Sequence, residues 1–199
     1  MKYATTNSVL VLLILSLFAC SSLYIQSNKY MSVQEPDKRY IPSSGKVLTI
    51  FERENNAGYE YYNISLWDVT DAKTPRYIGL VANTMKAAYE VDPGEHFFMA
   101  VLSGKSAIIK ANVRAGKTYY IMPAARSFTG LHLIPVKKGD STKITPVGIS
   151  ISNQKALDWA NRPSTINSVH SHRAKGMAAW NALPSDKKTK KTLEPEDGR

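Results

Sequence analysis

A stretch of strand-type sequence, residues 87–122, most constrains what this chain can fold into. It contains four runs rich in β-branched, aromatic or alternating side chains, at 87–91, 96–102, 107–113 and 118–122. Turn-forming residues separate the runs. The clearest are Asp92-Pro93-Gly94, because proline presets a negative φ and glycine accepts a positive one. The stretch therefore predicts four β-strands joined as an antiparallel meander.

The second of these runs, His96 to Leu102, is apolar at almost every position. A strand with one face in water alternates apolar and polar side chains, whereas a continuous apolar run is typical of a strand that is covered on both faces. We therefore expect residues 96–102 to lie at the centre of a sheet. The second cover would have to come from elsewhere in the chain.

Further strand-type runs lie on both sides of this stretch. They occupy residues 47–51, 61–69, 77–81 and 131–136, with a weaker candidate at 143–151. Short strands with a turn signal about every ten residues are the pattern of an all-β protein with two packed sheets. The sequence predicts an antiparallel sandwich.

Helix-forming residues replace the strand pattern after residue 152. The segment 153–184 predicts two helices divided at Pro163, the first over residues 154–160 and the second with Ser164 or Thr165 as its N-cap. Apolar residues of the second helix recur at helical spacing, which predicts that it packs on the sandwich. These residues are Ile166, Val169, Met177 and Trp180. Residues 185–199 mix lysines with carboxylates and predict a solvated polar tail.

The amino terminus predicts export. Lys2 precedes an apolar run that ends at Ala19, which is the pattern of a signal peptide, and this run is shorter than the roughly 20 residues of a membrane-spanning helix. The run ends in Leu17-Phe18-Ala19-Cys20, which resembles the lipobox of bacterial lipoproteins. The resemblance implies that Leu17, Phe18 and Ala19 are recognised by the signal peptidase and that Cys20 carries the lipid.

Lipidation at Cys20 would make the membrane a partner of the chain, because two or three acyl chains give stable anchoring. Ser21, rather than aspartate, follows the cysteine. By resemblance to the sorting rule of Gram-negative envelopes, this implies an outer-membrane lipoprotein that faces the periplasm. The alternative is an ordinary secretory peptide with an incidental cysteine.

Three motifs carry a second resemblance. They are Tyr77-Ile78-Gly79, the segment from Tyr89 to His96, and the segment from Ala115 to Ile121. Together they resemble a bacterial lipoprotein family of unknown function whose domain is an immunoglobulin-like β-sandwich, distantly similar to PEGA domains, over about residues 45–138. The resemblance implies a mainly β chain: an antiparallel immunoglobulin-like sandwich with a C-terminal helical segment. That family has no assigned activity, so it implies no catalytic residue.

These observations predict five segments along the chain. They are a lipoprotein signal peptide at 1–19, a lipidated tether at 20–44, a β-sandwich domain at 45–152, a helical segment packed on the sandwich at 153–184 and a polar tail at 185–199.

The chain is basic, with a formal net charge of +10. Because an exported protein rarely meets nucleic acid, we expect no nucleic-acid partner, and a basic surface would serve solubility or bind an anionic envelope polymer such as lipopolysaccharide or peptidoglycan. The candidate residues for such a surface lie between residues 105 and 138. They are Lys105, Lys110, Arg114, Lys117, Arg126, Lys137 and Lys138.

The histidines and hydroxyl residues give weak evidence for catalysis. His170 and His172 are two residues apart on a predicted helix, so they point in different directions and predict no metal site. A Gly-x-Ser-x-Gly nucleophile motif is absent from the sequence. We expect His96 to be structural, with its ring bonded to a neighbouring loop, and we expect no enzyme activity and no cofactor. A cleft that gathered His96, His132 or His170 with a carboxylate would favour an enzyme instead.

The sequence therefore leaves three functions. The first is a non-catalytic envelope lipoprotein that presents its surface to an envelope protein or serves a structural role. The second is a binder of an anionic envelope polymer, and the third is an enzyme.

Overall fold

The computed structural model describes residues 30–33, 38–53 and 62–199. The strands of these residues are β1 Met31–Val33, β2 Val47–Glu52, β3 Ile64–Asp68, β4 Arg76–Val81, β5 Lys86–Val91, β6 Gly94–Leu102, β7 Lys105–Val113, β8 Thr118–Arg126, β9 Gly130–Pro135, β10 Ser150–Ser152 and β11 Thr192–Leu193. The helices are α1 Gln154–Ala160, α2 Pro163–Asn181 and α3 Ser185–Lys190, and a 3-10 turn follows at Pro195–Asp197.

Two mixed sheets form the body of the protein. The five-stranded sheet has the order β11-β7-β6-β3-β4, the four-stranded sheet has the order β5-β2-β8-β9, and β1 pairs with β10 separately. The mainly β prediction is confirmed. The prediction that the sheets are antiparallel is wrong for two pairs, because β2 runs parallel to β8 and β11 runs parallel to β7.

The four central strands do not form the predicted meander. β6 and β7 pair with each other, but β5 and β8 lie in the other sheet, where both pair with β2. The turns at 92–94 and 115–117 therefore carry the chain from one sheet to the other. Turn residues specify a reversal of the chain but not the partner of the next strand. Here β2 lies between β5 and β8 and pairs with both.

One hydrophobic core lies between the two sheets. Phe51 of the four-stranded sheet meets Phe98 of the five-stranded sheet edge to face, with ring centroids 5.4 Å apart. Buried apolar residues from both sheets surround this contact. They include Val47, Ile64, Leu66, Ile109, Tyr119, Ile121 and Leu133.

A second core covers the other face of the five-stranded sheet and explains why residues 96–102 are apolar on both sides. Phe98 points into the first core, whereas Phe97 meets Trp180 of α2 edge to face at 6.1 Å. Trp67 and Met99 of the sheet and Val169 of α2 are buried in the same layer. The second cover of β6 is therefore the C-terminal helix.

The helices begin where local chemistry supports them. Asn153 caps α1, because its side chain accepts a hydrogen bond from the Ala156 N–H. The predicted N-cap of the second helix, Ser164 or Thr165, is wrong: α2 already begins at Pro163, with Arg162 as its N-cap. Proline suits the first helical position, because its φ is preset and its missing N–H would have no partner there.

The outer face of the four-stranded sheet is covered by irregular chain. Ile144 and Ile149 are buried there against Leu48 and Tyr120. The weak strand candidate at 143–151 is confirmed only at Ser150–Ser152. The rest of that segment cannot continue a ladder, since Pro146 has no N–H to donate and Gly148 has a φ of +68°.

The C-terminal residues do not form a solvated tail. β11 pairs with the edge strand β7, Leu193 is fully buried, and the backbone N–H and C=O groups of Arg199 bond those of Thr118 at 3.0 and 2.9 Å. Parts of the predicted tether also lie on the body of the protein. Residues 31–33 form β1, and Tyr40 packs on the outer face of the four-stranded sheet.

Candidate functional site

The structure divides the predicted basic surface into separate groups. Lys105 is the first residue of β7, and Arg114 follows the end of the same strand. At about 3.3 Å per residue, nine residues of strand separate these two side chains by roughly 30 Å. Lys117, in the turn between β7 and β8, shares the Arg114 end. These residues cannot contact one small ligand together.

Two of the predicted cations are already paired. The Lys110 ammonium lies 2.6 Å from a carboxylate oxygen of Glu95 and also lies over the Phe97 ring. The Lys137 ammonium lies 3.0 Å from Asp197 and donates to the Thr192 carbonyl. The Lys110 and Lys137 ammonium groups therefore contact groups of the protein itself rather than a ligand.

The Asp197 carboxylate contacts the side-chain ammonium of Lys137 and the backbone N–H of Lys138, and we call this arrangement the Asp197 clasp. Its carboxylate accepts hydrogen bonds from the backbone N–H groups of Lys138 and Glu194 at 3.1 and 2.8 Å. Burial alone would raise the pKa of Asp197, but these bonds and the Lys137 ammonium outweigh burial, and the pKa is lowered. Lys138 contributes its backbone here, and its side chain is exposed. The clasp is therefore structural.

Lys105 and Arg126 lie together at the opposite end of the two sheets. Lys105 follows the β6–β7 turn, and Arg126 precedes the β8–β9 turn, where it pairs with Gly130. A cavity of about 170 Å³ opens between the two turns. Its lining consists of Lys105 and Arg126 with Tyr62, Leu102, Ser103, Ala125, Gly130 and Leu131.

A shallower hollow adjoins this cavity and shares Lys105 with it. Lys175 of α2 and Phe128, at the tip of the β8–β9 turn, belong to its lining. Phe128 is fully exposed. Sequence reasoning missed both residues. Phe128 could have been noticed in the sequence as an aromatic residue within a turn, at 127–130. No sequence pattern, in contrast, indicates that Lys175 lies near Lys105. We call Lys105, Arg126, Phe128 and Lys175 the basic end.

The His96 ring lies beside the carboxylate of Asp68, as an enzyme site would require. Its hydrogen bonds, however, connect loops of the fold. Its Nε2 donates to the Asp92 carbonyl at 2.8 Å, and its Nδ1 lies 3.3 Å from the Thr70 hydroxyl and 3.9 Å from Asp68. The Thr70 hydroxyl donates to Asp68 at 2.6 Å and accepts the Phe97 N–H at 3.0 Å. This arrangement joins the ends of β3, β5 and β6, as the structural interpretation of His96 requires.

Tyr89 adds a further polar contact to the same cluster. Its hydroxyl donates to Asp68 at 3.4 Å. Burial, followed by the negative charge of Asp68, raises the pKa of Tyr89 to about 12. A phenol with so high a pKa remains neutral near pH 7 and serves as a hydrogen-bond donor.

The remaining histidines lie in separate places. His132 lies 2.8 Å from the Thr129 hydroxyl on the β8–β9 hairpin, while the His172 Nδ1 donates to the Ser168 carbonyl on α2 at 2.8 Å. Among the described residues, no group of three or more His, Cys, Asp or Glu side chains is arranged to hold a metal ion.

The predicted lipidation site lies outside the described residues. Leu17, Phe18, Ala19 and Cys20 all belong to that part of the chain. In the ranges 30–33, 38–53 and 62–199, no helix is long and apolar enough to cross a membrane.

Comparisons with known proteins give no family for this chain. No family model matches it, and no curated protein matches it. Among solved structures, the chain is similar to the NMR structure of a protein from Eubacterium rectale, with a TM-score of 0.34 and 7% sequence identity over 54% of this chain and 98% of that one. A TM-score this low supports no conclusion about function.

Proposed function

We propose that this chain is a membrane-anchored envelope lipoprotein that acts as a non-catalytic protein-interaction or structural module. The observation that carries the proposal is the sequence Leu17-Phe18-Ala19-Cys20 at the end of an apolar leader. The thiol of Cys20 would receive the lipid, and Ser21 favours the outer membrane with the protein facing the periplasm. The anchored protein would meet an envelope protein partner through the surface of its two sheets.

The internal bonding of the polar groups supports a non-catalytic role. His96, Thr70 and Asp68 use their polar atoms to join loop ends, and Asp197 uses its carboxylate to hold the C-terminal segment. Groups engaged in this way hold the fold together. We further propose that the two sheets are an immunoglobulin-like sandwich related to PEGA domains, which the core shared between the sheets supports.

A second candidate function is favoured by the cavity at the basic end. Binding of an anionic envelope polymer along the whole segment from residue 105 to 138 is poorly supported, because Lys110 and Lys137 are paired internally. Lys105 and Arg126, however, line one cavity. We therefore restrict the second proposed function, binding of an anionic envelope polymer, to the basic end.

Lipidation is tested by replacing the cysteine. In Cys20→Ser the hydroxyl is a much poorer nucleophile than a thiolate, so we expect loss of the lipid and release from the membrane fraction. Mass spectrometry of the native protein should show a lipidated amino-terminal Cys20, and the matched variant Ser21→Ala should stay lipidated. An unmodified Cys20 or an intact leader in the native protein would contradict the proposal.

A further inference from the structure

We propose that a cavity between α2 and the outer face of the five-stranded sheet binds a neutral sugar ring. The cavity has a volume of about 280 Å³, and its lining includes residues of β3, β6, α1 and α2. Ligand pockets in proteins begin at about 300 Å³, so this cavity has room for one saccharide ring. The inference goes beyond the proposed function and rests on the envelope location only for the source of the sugar.

The wall on the sheet side is apolar, and its polar groups are bonded within the protein. Trp67 of β3 and Val101 of β6 line this side. The Trp67 Nε1 donates to the Ser65 hydroxyl at 3.3 Å, and the Ser65 hydroxyl donates to the Val101 carbonyl at 3.3 Å. The sheet therefore offers a ligand apolar surface and no free hydrogen-bonding group from these side chains.

The wall on the helix side is polar, and three of its groups are open. Ser164, Thr165 and His172 of α2 line the cavity. No described residue bonds the hydroxyls of Ser164 and Thr165, and the His172 ring uses its Nδ1 to donate to the Ser168 carbonyl at 2.8 Å. In the neutral ring this leaves the Nε2 as an acceptor, whereas a hydroxyl can both donate and accept. The helix can therefore exchange several hydrogen bonds with a ligand.

Trp159 of α1 gives the cavity an aromatic wall that is fixed in position. Its indole is partly buried and lies against the rings of Trp67 and Tyr77, with centroids 6.3 and 5.9 Å away. These contacts hold the ring in place, and Trp159 also lines the cavity. A ring that is already ordered loses little conformational freedom when a ligand packs against it.

The absence of charge in the lining selects a neutral ligand. Among the described residues that line the cavity, none is a lysine, arginine, aspartate or glutamate. A charged ligand would lose water on entering and would meet no counter-charge in this lining. The cavity therefore differs in chemistry from the basic end.

A sugar ring matches both walls at once. A pyranose presents C–H groups on its faces, which pack on aromatic and aliphatic side chains, and carries hydroxyls around its rim, which exchange hydrogen bonds with hydroxyls and imidazole nitrogens. The faces would meet Trp159 and the sheet, and the rim would meet Ser164, Thr165 and His172. A purely apolar ligand would leave these polar groups without partners.

The first arm of the test follows the tryptophan signals by NMR. The full chain in phosphatidylcholine nanodiscs, which avoid sugar-based detergents, is titrated with glucose and with N-acetylglucosamine. The chain has three tryptophans, Trp67, Trp159 and Trp180, and the Trp159 indole signal is identified by its loss in Trp159→Phe. We expect sugar to shift the Trp159 signal and to leave that of Trp180, which packs on Phe97 outside the lining, in place.

Substitutions on α2 locate the binding groups. Ser164→Ala and Thr165→Val should each raise the dissociation constant about tenfold, the effect of losing one hydrogen bond to the ligand. Ser171→Ala is the matched control, because Ser171 is an exposed serine of the same helix that does not line the cavity. Equal melting temperatures verify that the variants are folded. Glucose 6-phosphate, which adds charge to the same ring, should bind no more tightly than glucose.

The second arm distinguishes a free sugar from an envelope glycan. The full chain in nanodiscs is pelleted with purified peptidoglycan, and the retained fraction is compared between Thr165→Val and Ser171→Ala. Retention that Thr165→Val loses, without a shift by free sugar, supports the site with a glycan as its source, and a shift by free sugar alone supports it with a soluble source.

Three outcomes would overturn the proposal. The first is that neither arm detects binding, with sugar tested up to about 0.1 M, which would saturate a site with a dissociation constant of about 1 mM. The second is that Ser164→Ala and Thr165→Val bind as Ser171→Ala does, and the third is that glucose 6-phosphate binds more tightly than glucose. These outcomes are independent of the modification state of Cys20, which tests the proposed function alone.

Discussion

The two ends of the sheets are built differently. At one end, which we call the closed end, the Lys46 ammonium lies 2.6 Å from Asp92, Lys137 pairs with Asp197, and the backbone of Arg199 bonds Thr118. At the basic end, Lys105 and Lys175 have no carboxylate partner among the described residues. The charged groups of the closed end pair within the protein, whereas the Lys105 and Lys175 side chains at the basic end are exposed to solvent.

The comparison also shows which charges contribute to folding. The Lys46 and Asp92 side chains are 44% and 73% exposed, and an exposed pair of this kind contributes little to stability, because water and salt screen it. Asp197 is only 7% exposed at its side chain and accepts two backbone hydrogen bonds besides the Lys137 contact. Burial and multiple partners, rather than the number of ion pairs, make the closed end a structural element.

The largest effect should follow the loss of Trp180, which packs on Phe97 of β6. Trp180 is 6% exposed, and replacing a buried tryptophan by alanine costs about 3–5 kcal/mol. We expect Trp180→Ala to lower the free energy of unfolding by about that amount in urea titrations. Phe128→Ala at the basic end is the control and should change it by less than about 0.5 kcal/mol. A free energy of unfolding left unchanged by Trp180→Ala would contradict a stabilising contact between α2 and the sheet.

The Asp197 clasp should be the next largest contribution, and it should depend on pH. Because the pKa of Asp197 is lowered in the folded protein, its carboxylate stabilises the fold above the ordinary carboxyl pKa. This stabilisation is lost as the pH falls through the lowered, folded-state pKa. Asp197→Asn should therefore cost about 1.5–3 kcal/mol at pH 7, and this cost should shrink as the pH falls below the ordinary carboxyl pKa.

The control for the clasp is Asp186→Asn, because Asp186 is exposed on α3 and should give almost no change at pH 7. An Asp197→Asn deficit of the same size at pH 7 and pH 3 would show that the carboxylate charge does not hold the C-terminal segment.

A smaller effect is expected at the turn that leads from β5 to β6. Gly94 has a φ of +134°, which a β-branched residue adopts only under strain, although a side chain there would meet open space. Gly94→Val should cost about 1–3 kcal/mol, measured as a lower melting temperature. Valine at the exposed Ser127, in the turn at the basic end, is the matched control. A melting temperature unchanged by Gly94→Val would show that the backbone of this turn has another conformation.

The sequence predicted those parts of the fold that depend on local chemistry. The two-sided apolar pattern of residues 96–102 indicated a central strand with a further cover, and α2 supplies that cover through Trp180. The helix-forming residues 154–160 predicted α1 with its observed bounds. These features follow from periodicity and capping within a few residues of the chain.

The sequence did not reveal the contacts between distant segments. The pairing of β2 with both β5 and β8, and of β11 with β7, joins residues far apart in the chain, and no local pattern specifies it. The sequence likewise did not reveal how the basic residues are arranged in space. Their clustering in sequence suggested one surface, but strand length separates Lys105 from Arg114, and the fold brings Lys105 next to Arg126 instead.

One pair of variants tests the difference between the two ends most directly. Lys137→Met removes the cation that faces the buried Asp197, and Lys105→Met removes a cation that lines the basic end. The free energy of unfolding at pH 7 should fall by about 1–3 kcal/mol in Lys137→Met, because a buried carboxylate loses a charged partner. It should change by less than about 0.5 kcal/mol in Lys105→Met. Equal losses in the two variants, or a larger loss in Lys105→Met, would contradict a closed end that stabilises the fold through Lys137 and Asp197 and a Lys105 side chain that does not.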